Sequence, residues 1–133
     1  MHITINGKQV GIKFNNWGMD VFQKLQAQWA EKGVNEDNVQ LYGYTWAGVQ
    51  GWKFRVENAP GSTFIAPDIS FEDVCDWVDQ AADNDEIFKQ VSEIRALLLD
   101  APLMKKALQI LADKEKKSEL TGETMTETGT LAT

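Results

Sequence analysis

One cysteine, one histidine and three prolines in 133 residues close off most of the routes by which a small protein does chemistry. Cys75 has no partner for an intramolecular disulfide, and on the apolar side of an expected helix it reads as a small buried hydrophobe of a reducing, cytosolic protein. Catalysis of the Ser–His–Asp or Cys–His type needs a base beside the nucleophile, and the sole imidazole is His2, at an expected mobile terminus. Structural zinc takes about four Cys or His ligands, and this chain holds too few, far apart. No glycine-rich phosphate loop opens a helix: Gly48 and Gly51 lack the Lys-Ser/Thr that would complete one, so no cofactor is expected. No apolar run approaches the length of about eighteen residues that suggests a membrane span. The start, MHITINGK, lacks the basic-then-apolar layout of a secretion signal. Basic residues are also few. Against 20 Asp and Glu stand 13 Lys and Arg, giving a net charge of −7 and a pI near 4.6. Binding to phosphates needs clustered Lys and Arg, and the one local cluster, Lys114, Lys116 and Lys117, is interrupted by Glu115. Nucleic acid is not an expected partner.

What remains is a chain with 43% hydrophobic residues, a size that suits one domain burying about two thirds of its unfolded surface. Ile3 and Ile5, then Asn6-Gly7, then Val10, Ile12 and Phe14 alternate with period two around the dipeptide that best fits a type I′ turn. Pairing Ile5 with Lys8 puts Met1, Ile3, Ile5, Val10 and Ile12 on one face, which two strands alone cannot bury. Helices must cover it. Asn15 or Asn16 caps a first helix with a stripe of Trp17, Val21, Phe22, Leu25 and Trp29, stopped by Gly33. Val39, Tyr42, Trp46 and Val49 mark a second, diluted by Gly43 and Gly48. Trp52 to Ala66 reads as a loop, or a loop with a small second hairpin, around the turn signal Ala59-Pro60-Gly61-Ser62. Ser70 and Asp73 resemble a capping box opening a third helix that ends near Asp83-Asn84. Ile87, Val91, Ile94 and Leu98 mark a fourth, and Pro102 forces a break before a fifth at Leu103, Ala107, Ile110 and Leu111. The expectation is an α+β fold, an N-terminal β-hairpin packed on a bundle of four to five α-helices, with residues 1–117 as a single domain. The remainder, 118–133, is acidic and Thr-rich with too little apolar surface to offset the entropy of ordering, and is expected to be disordered.

The third helix carries the densest signal. From Asp68 to Glu86 the chain has acidic side chains and no basic one, above an apolar stripe of Val74, Trp77, Val78 and Ala81. Such a helix is either a solubilising wall or a docking surface for a basic partner. Asp73, Asp76 and Asp79, at three-residue spacing, offer carboxylates for a divalent cation, but a charge run is more often a solvated face. Asp83, Asn84 and Asp85 lack the Gly and distal Glu of a calcium loop. No catalytic and no metal-ligating residue is therefore assigned. Trp17, Trp29, Trp46 and Trp77 fall on apolar stripes and read as core, whereas Trp52, between Gly51 and Lys53, either anchors a partner from a glycine-rich turn or packs a loop inward. The candidate partner-binding residues are Trp52, Glu72, Asp76, Asp79 and Asp83.

Three segments in order, IKFNNWGMDVFQKL, NVQLYGYTWAGVQ and ISFEDVCDWVDQ followed by an Ile/Leu-rich helix, resemble the tail assembly chaperones of long-tailed bacteriophages. The likeness runs from Met1 to about Leu111. It implies a non-enzymatic phage or prophage protein, made in the host bacterial cytoplasm and absent from the mature virion. Its implied partners are the tape measure protein, which such chaperones coat, and tail tube protein subunits; a longer frameshifted product and self-association are left open. No binding residue is transferred from the resemblance. Two other classes stand beside it: a virion structural or head–tail connector protein, and a carboxylate-based metal-binding protein.

Overall fold

Asn6 and Gly7 both adopt positive φ, 52° and 74°, the backbone a type I′ turn requires and the reason Asn-Gly serves it. The structure, a computed structural model, describes residues 1–102 together with 105, 106, 109, 110 and 113. Strands β1 (His2–Ile5) and β2 (Lys8–Gly11) flank the turn, antiparallel, with Ile3 opposite Val10 and Ile5 opposite Lys8. Among the described residues they form the only sheet. The register puts Ile3, Ile5, Val10 and Ile12 inward, all buried, each stabilising by about 1.5–3 kcal/mol. Met1 lies on the same face at the open end of the hairpin and stays 39% exposed. His2 belongs to β1, so its imidazole is placed by the strand.

Helix α1 (Asn16–Lys32) starts where Asn15 accepts the Gly18 N–H at 2.9 Å and stops at Gly33, whose φ of 70° ends the helix with its N–H turned back to Ala30. The Asn15 amide also donates to the Gly51 carbonyl at 3.0 Å, fixing the start of α1 against the next helix. That helix, α2, runs Gln40–Glu57. It is longer than the sequence suggested, because the β-like residues Trp52, Phe54 and Val56 continue it in place of opening a loop. Tertiary contact overrides their propensity. Along one side of α2, Gly43 meets Phe22 and Trp29, Gly48 meets Ile12 and Phe14, and Gly51 meets the Lys13 carbonyl and Asn15. A Cβ at Gly51 would lie 2.2 Å from that carbonyl oxygen. Thr45, fully buried, satisfies its hydroxyl on the Leu41 carbonyl at 2.9 Å.

The connection to the next helix turns at Gly61, φ 76°, and is held to the end of α2. Ser62 Oγ donates to the Val56 carbonyl at 2.8 Å, and Glu57 accepts the Ala66 N–H at 2.8 Å. No second hairpin forms there. Helix α3 (Phe71–Asp79) opens with the capping box as expected: Ser70 Oγ accepts the Asp73 N–H at 3.1 Å and Asp73 accepts the Ser70 N–H at 3.0 Å. A short 3₁₀ turn over Gln80–Ala82 follows. Asn84 then caps α4 (Asp85–Asp100) by accepting the N–H groups of Glu86 and Ile87. The core is one cluster in which Ile3, Ile5, Val10 and Ile12 meet Val49, Ile69, Val74, Trp77, Val78, Val91 and Ile94.

Met1–Leu99 is one compact unit, and the chain from Asp100 belongs to a second. In the second, the described positions 102, 105, 106, 109, 110 and 113 are helical, and the Lys105 N–H bonds the Ala101 carbonyl at 3.0 Å. Leu103, Ala107 and Leu111 of the expected fifth helix lie outside the described residues, as does the whole 118–133 segment.

Candidate interaction surface

Helix α3 is amphipathic because its apolar residues recur at three- and four-residue steps from a start fixed by the capping box. Val74, Trp77 and Val78 point into the core, and Glu72, Asp76 and Asp79 are exposed, as is Asp83 after the helix. These last four carboxylates form no ion pair among the described residues, where the one salt bridge is Lys24 to Asp20 at 2.9 Å. Asp73 has a different task. It accepts from Ser70 and, at 2.8 Å, from the Asn6 side chain of the hairpin turn, and these hydrogen bonds hold its carboxyl below the usual carboxylate range, the Ser70 backbone bond most strongly. Asp79 turns toward α2 and accepts the Tyr42 hydroxyl, which pushes the phenol up to about 12. Of the aspartates at 73, 76 and 79, the first and last thus serve separate partners, and Asp76 is exposed. Among the described residues no three His, Cys, Asp or Glu side chains are grouped to hold a metal ion.

Cys75 lies between these groups, half-buried where full burial was expected. Burial, then the charges of Asp79, Asp76 and Glu72, pushes its thiol up to about 11, so at neutral pH it is protonated and a poor nucleophile.

Trp52 sits in α2 and not on a turn. Its indole lies over Gly11, where a Cβ would come within 2.3 Å of the ring, and meets His2 and Phe64 edge-on at 6.1 Å each. It packs the hairpin against α2, the inward of its two sequence readings. The glycine side of α2 is likewise an internal surface, closed by α1 and the segment 12–15 after β2. Trp17 departs in the other direction. Expected in the core, it is 45% exposed and stacks flat on Phe54 of α2, centroids 4.4 Å apart.

No family model, no curated protein and no solved structure matches the chain. The surface chemistry therefore carries the functional reading. Among the described residues, two apolar grooves invisible in the sequence mark it. One of about 300 Å³ is lined by Val21, Lys24, Leu25, Gln28, Trp46 and Phe71, the Trp46 and Phe71 rings meeting edge-on at 5.6 Å. The other, of about 400 Å³, surrounds the Trp17–Phe54 stack with Gln50, Lys53, Glu57 and Asn58. Helical spacing had placed Val21, Leu25 and Trp46 on apolar stripes; which part of a stripe its neighbours leave uncovered is not written in the spacing. None of the described helices is long and apolar enough to cross a membrane.

Proposed function

We propose that the protein is a non-enzymatic tail assembly chaperone of a long-tailed bacteriophage or prophage, which binds the tape measure protein in the host cytoplasm and is absent from the finished particle. The observation that carries the reading is the outer side of α3 and the turn after it: Glu72, Asp76, Asp79 and Asp83, exposed and without an ion-pair partner among the described residues, on a chain of net charge −7. The ordered likeness of three segments to such chaperones supports the same assignment. A protonated Cys75 and the engagement of Asp73 and Asp79 in structural hydrogen bonds favour a binding role over a chemical one.

The mechanism is reversible masking. An aggregation-prone client exposes amphipathic helices; the chaperone covers their apolar side and meets their bases with its carboxylates. Each exposed charge pair contributes only about 0–1 kcal/mol, so binding is multivalent and salt-sensitive. Co-expression with the tape measure gene of the same phage, followed by affinity recovery at about 0.05 M and 0.5 M salt, tests this. The tape measure protein is expected in the low-salt fraction and depleted at high salt; absence at both refutes the assignment.

A further inference from the structure

We propose that the groove floored by Trp46 and walled by Val21 and Leu25 of α1 and Phe71 of α3 seats one amphipathic helix of another polypeptide, apolar face inward, with lysines or arginines along the flank beside α3. The proposal rests on the reading of the protein as an adaptor for another polypeptide. It adds the place and the orientation.

The geometry begins with the way α2 and α3 run past each other. Trp46 meets Phe71 at the start of α3, and Tyr42, one turn earlier on α2, donates to Asp79 at its end. The two helices are therefore antiparallel, and the row Phe71, Cys75, Asp79 lies along the row Trp46, Tyr42. Beyond Phe71 that side carries carboxylates: Asp79 reaches the Tyr42 hydroxyl, and Glu72 and Asp76 are exposed on the same helix. The opposite rim belongs to α1 and is charge-balanced, since Lys24 is paired with Asp20 at 2.9 Å and Gln28 is neutral. An apolar floor with one acidic and one balanced rim is complementary to a helix with a matching stripe and basic residues on one flank only. With about 300 Å³ of space, the groove has room for a few aliphatic side chains.

Charge also decides among occupants. The chain's own segment 118–133 carries Glu119, Glu123 and Glu127 and no base, so it offers no charge complementary to this rim. A second copy brings another −7 and a second acidic α3. A basic amphipathic helix of a different chain is the occupant the surface fits.

The probe is a fluorescein-labelled designed peptide of about eighteen residues, with leucines at helical steps, lysines along one flank and glutamines elsewhere, titrated by anisotropy against the full chain. Two control peptides exchange the lysines for glutamates or the leucines for glutamines. The lysine–leucine peptide is expected to bind at least about tenfold tighter than either control, and Leu25→Gln to cost about tenfold while Leu25→Met binds as wild type. With unsubstituted protein, the Trp46 indole N–H is expected to shift on peptide addition in a ¹H–¹⁵N spectrum while that of Trp17 stays in place. Equal binding of the glutamate peptide, or shifts centred on Trp17, overturns the proposal. If Leu25→Gln is folded and still recovers the co-expressed tape measure protein at the wild-type level, the groove assignment falls and the adaptor reading stands. If wild type recovers nothing, both fall.

Discussion

Helices α2 and α3 lie side by side and commit their sequences in opposite directions. Helix α2 turns its least helix-favouring residues inward: Gly43, Gly48 and Gly51 cost about 0.5–1 kcal/mol each in propensity, yet they let α1 and the segment 12–15 approach the backbone closely. Helix α3 is half the length (nine residues against eighteen) and turns its carboxylates outward, relying on a capping box and three buried side chains for its stability. One helix organises the unit, the other faces the solvent. The difference teaches that small residues and like charges, both of which weaken an isolated helix, mean different things according to which side they occupy.

Truncating the buried side of α3 carries the largest expected effect. Trp77 is 4% exposed, and Trp77→Ala should cost about 3–5 kcal/mol, measured by urea unfolding of the unit. On α2 the corresponding test is Gly51→Ala. Helix propensity alone predicts a gain of about 1 kcal/mol; the Cβ placed 2.2 Å from the Lys13 carbonyl predicts a net loss of about 1–3 kcal/mol. The backbone oxygen cannot rotate away, so the loss should win, and a stabilised Gly51→Ala protein would break the contrast between the helices.

Next in size is the cap. Ser70→Ala should lower stability by about 1 kcal/mol. Its partner Asp73 sets part of the acid limb: with a folded pKa held below its unfolded value, its contribution is present above the unfolded pKa and lost as pH falls through the folded one. Acid titration of Asp73→Asn should accordingly be flatter than wild type. At the alkaline end the sign reverses. Tyr42 is raised from 10.0 to about 12 by the Asp79 hydrogen bond first and burial second, so its contribution is complete below pH 10 and disappears toward 12. Tyr42→Phe should remove that part of the alkaline decline, read from unfolding midpoints across the range; the remaining slope includes Cys75, whose thiol is also raised.

The hairpin, both ends of α1 and the start of α3 were legible because each is written in local chemistry: Asn6-Gly7 for the turn, Asn15 and Gly33 for the caps, Ser70 with Asp73 for the box. The buried sides of α3 and α4 were legible too, since Val74, Trp77, Val78, Val91, Ile94 and Leu98 keep helical spacing. The extent of α2 was not. Trp52, Phe54 and Val56 favour strands locally, and it is tertiary contact that overrides them: Lys13 and Asn15 close on Gly51, Trp52 packs on Gly11 and Phe54 stacks on Trp17. Trp17 misled for a related reason, as periodicity gives direction around a helix but not whether a neighbour is present at that height. The candidate residues divide accordingly. Glu72, Asp76, Asp79 and Asp83 are exposed as charge patterning implied, with Asp79 tied to Tyr42, while Trp52 is committed to packing the hairpin. The groove at Trp46 arises from three elements meeting, which no single stretch of sequence encodes.

Recognition of a basic polypeptide by the outer side of α3 is tested by comparing wild type with a variant carrying Glu72→Gln, Asp76→Asn, Asp79→Asn and Asp83→Asn in recovery of the co-expressed tape measure protein across a salt gradient. Neutralisation should change stability by no more than about 0.5 kcal/mol at each of Glu72, Asp76 and Asp83 and by about 0.5–1.5 kcal/mol at Asp79, which accepts the Tyr42 hydroxyl, so the variant is expected to fold, and a thermal melt checks that. Wild type should lose the tape measure protein steeply with salt, and the variant should recover little at any salt. Recovery by the folded variant equal to wild type throughout the gradient contradicts recognition through α3.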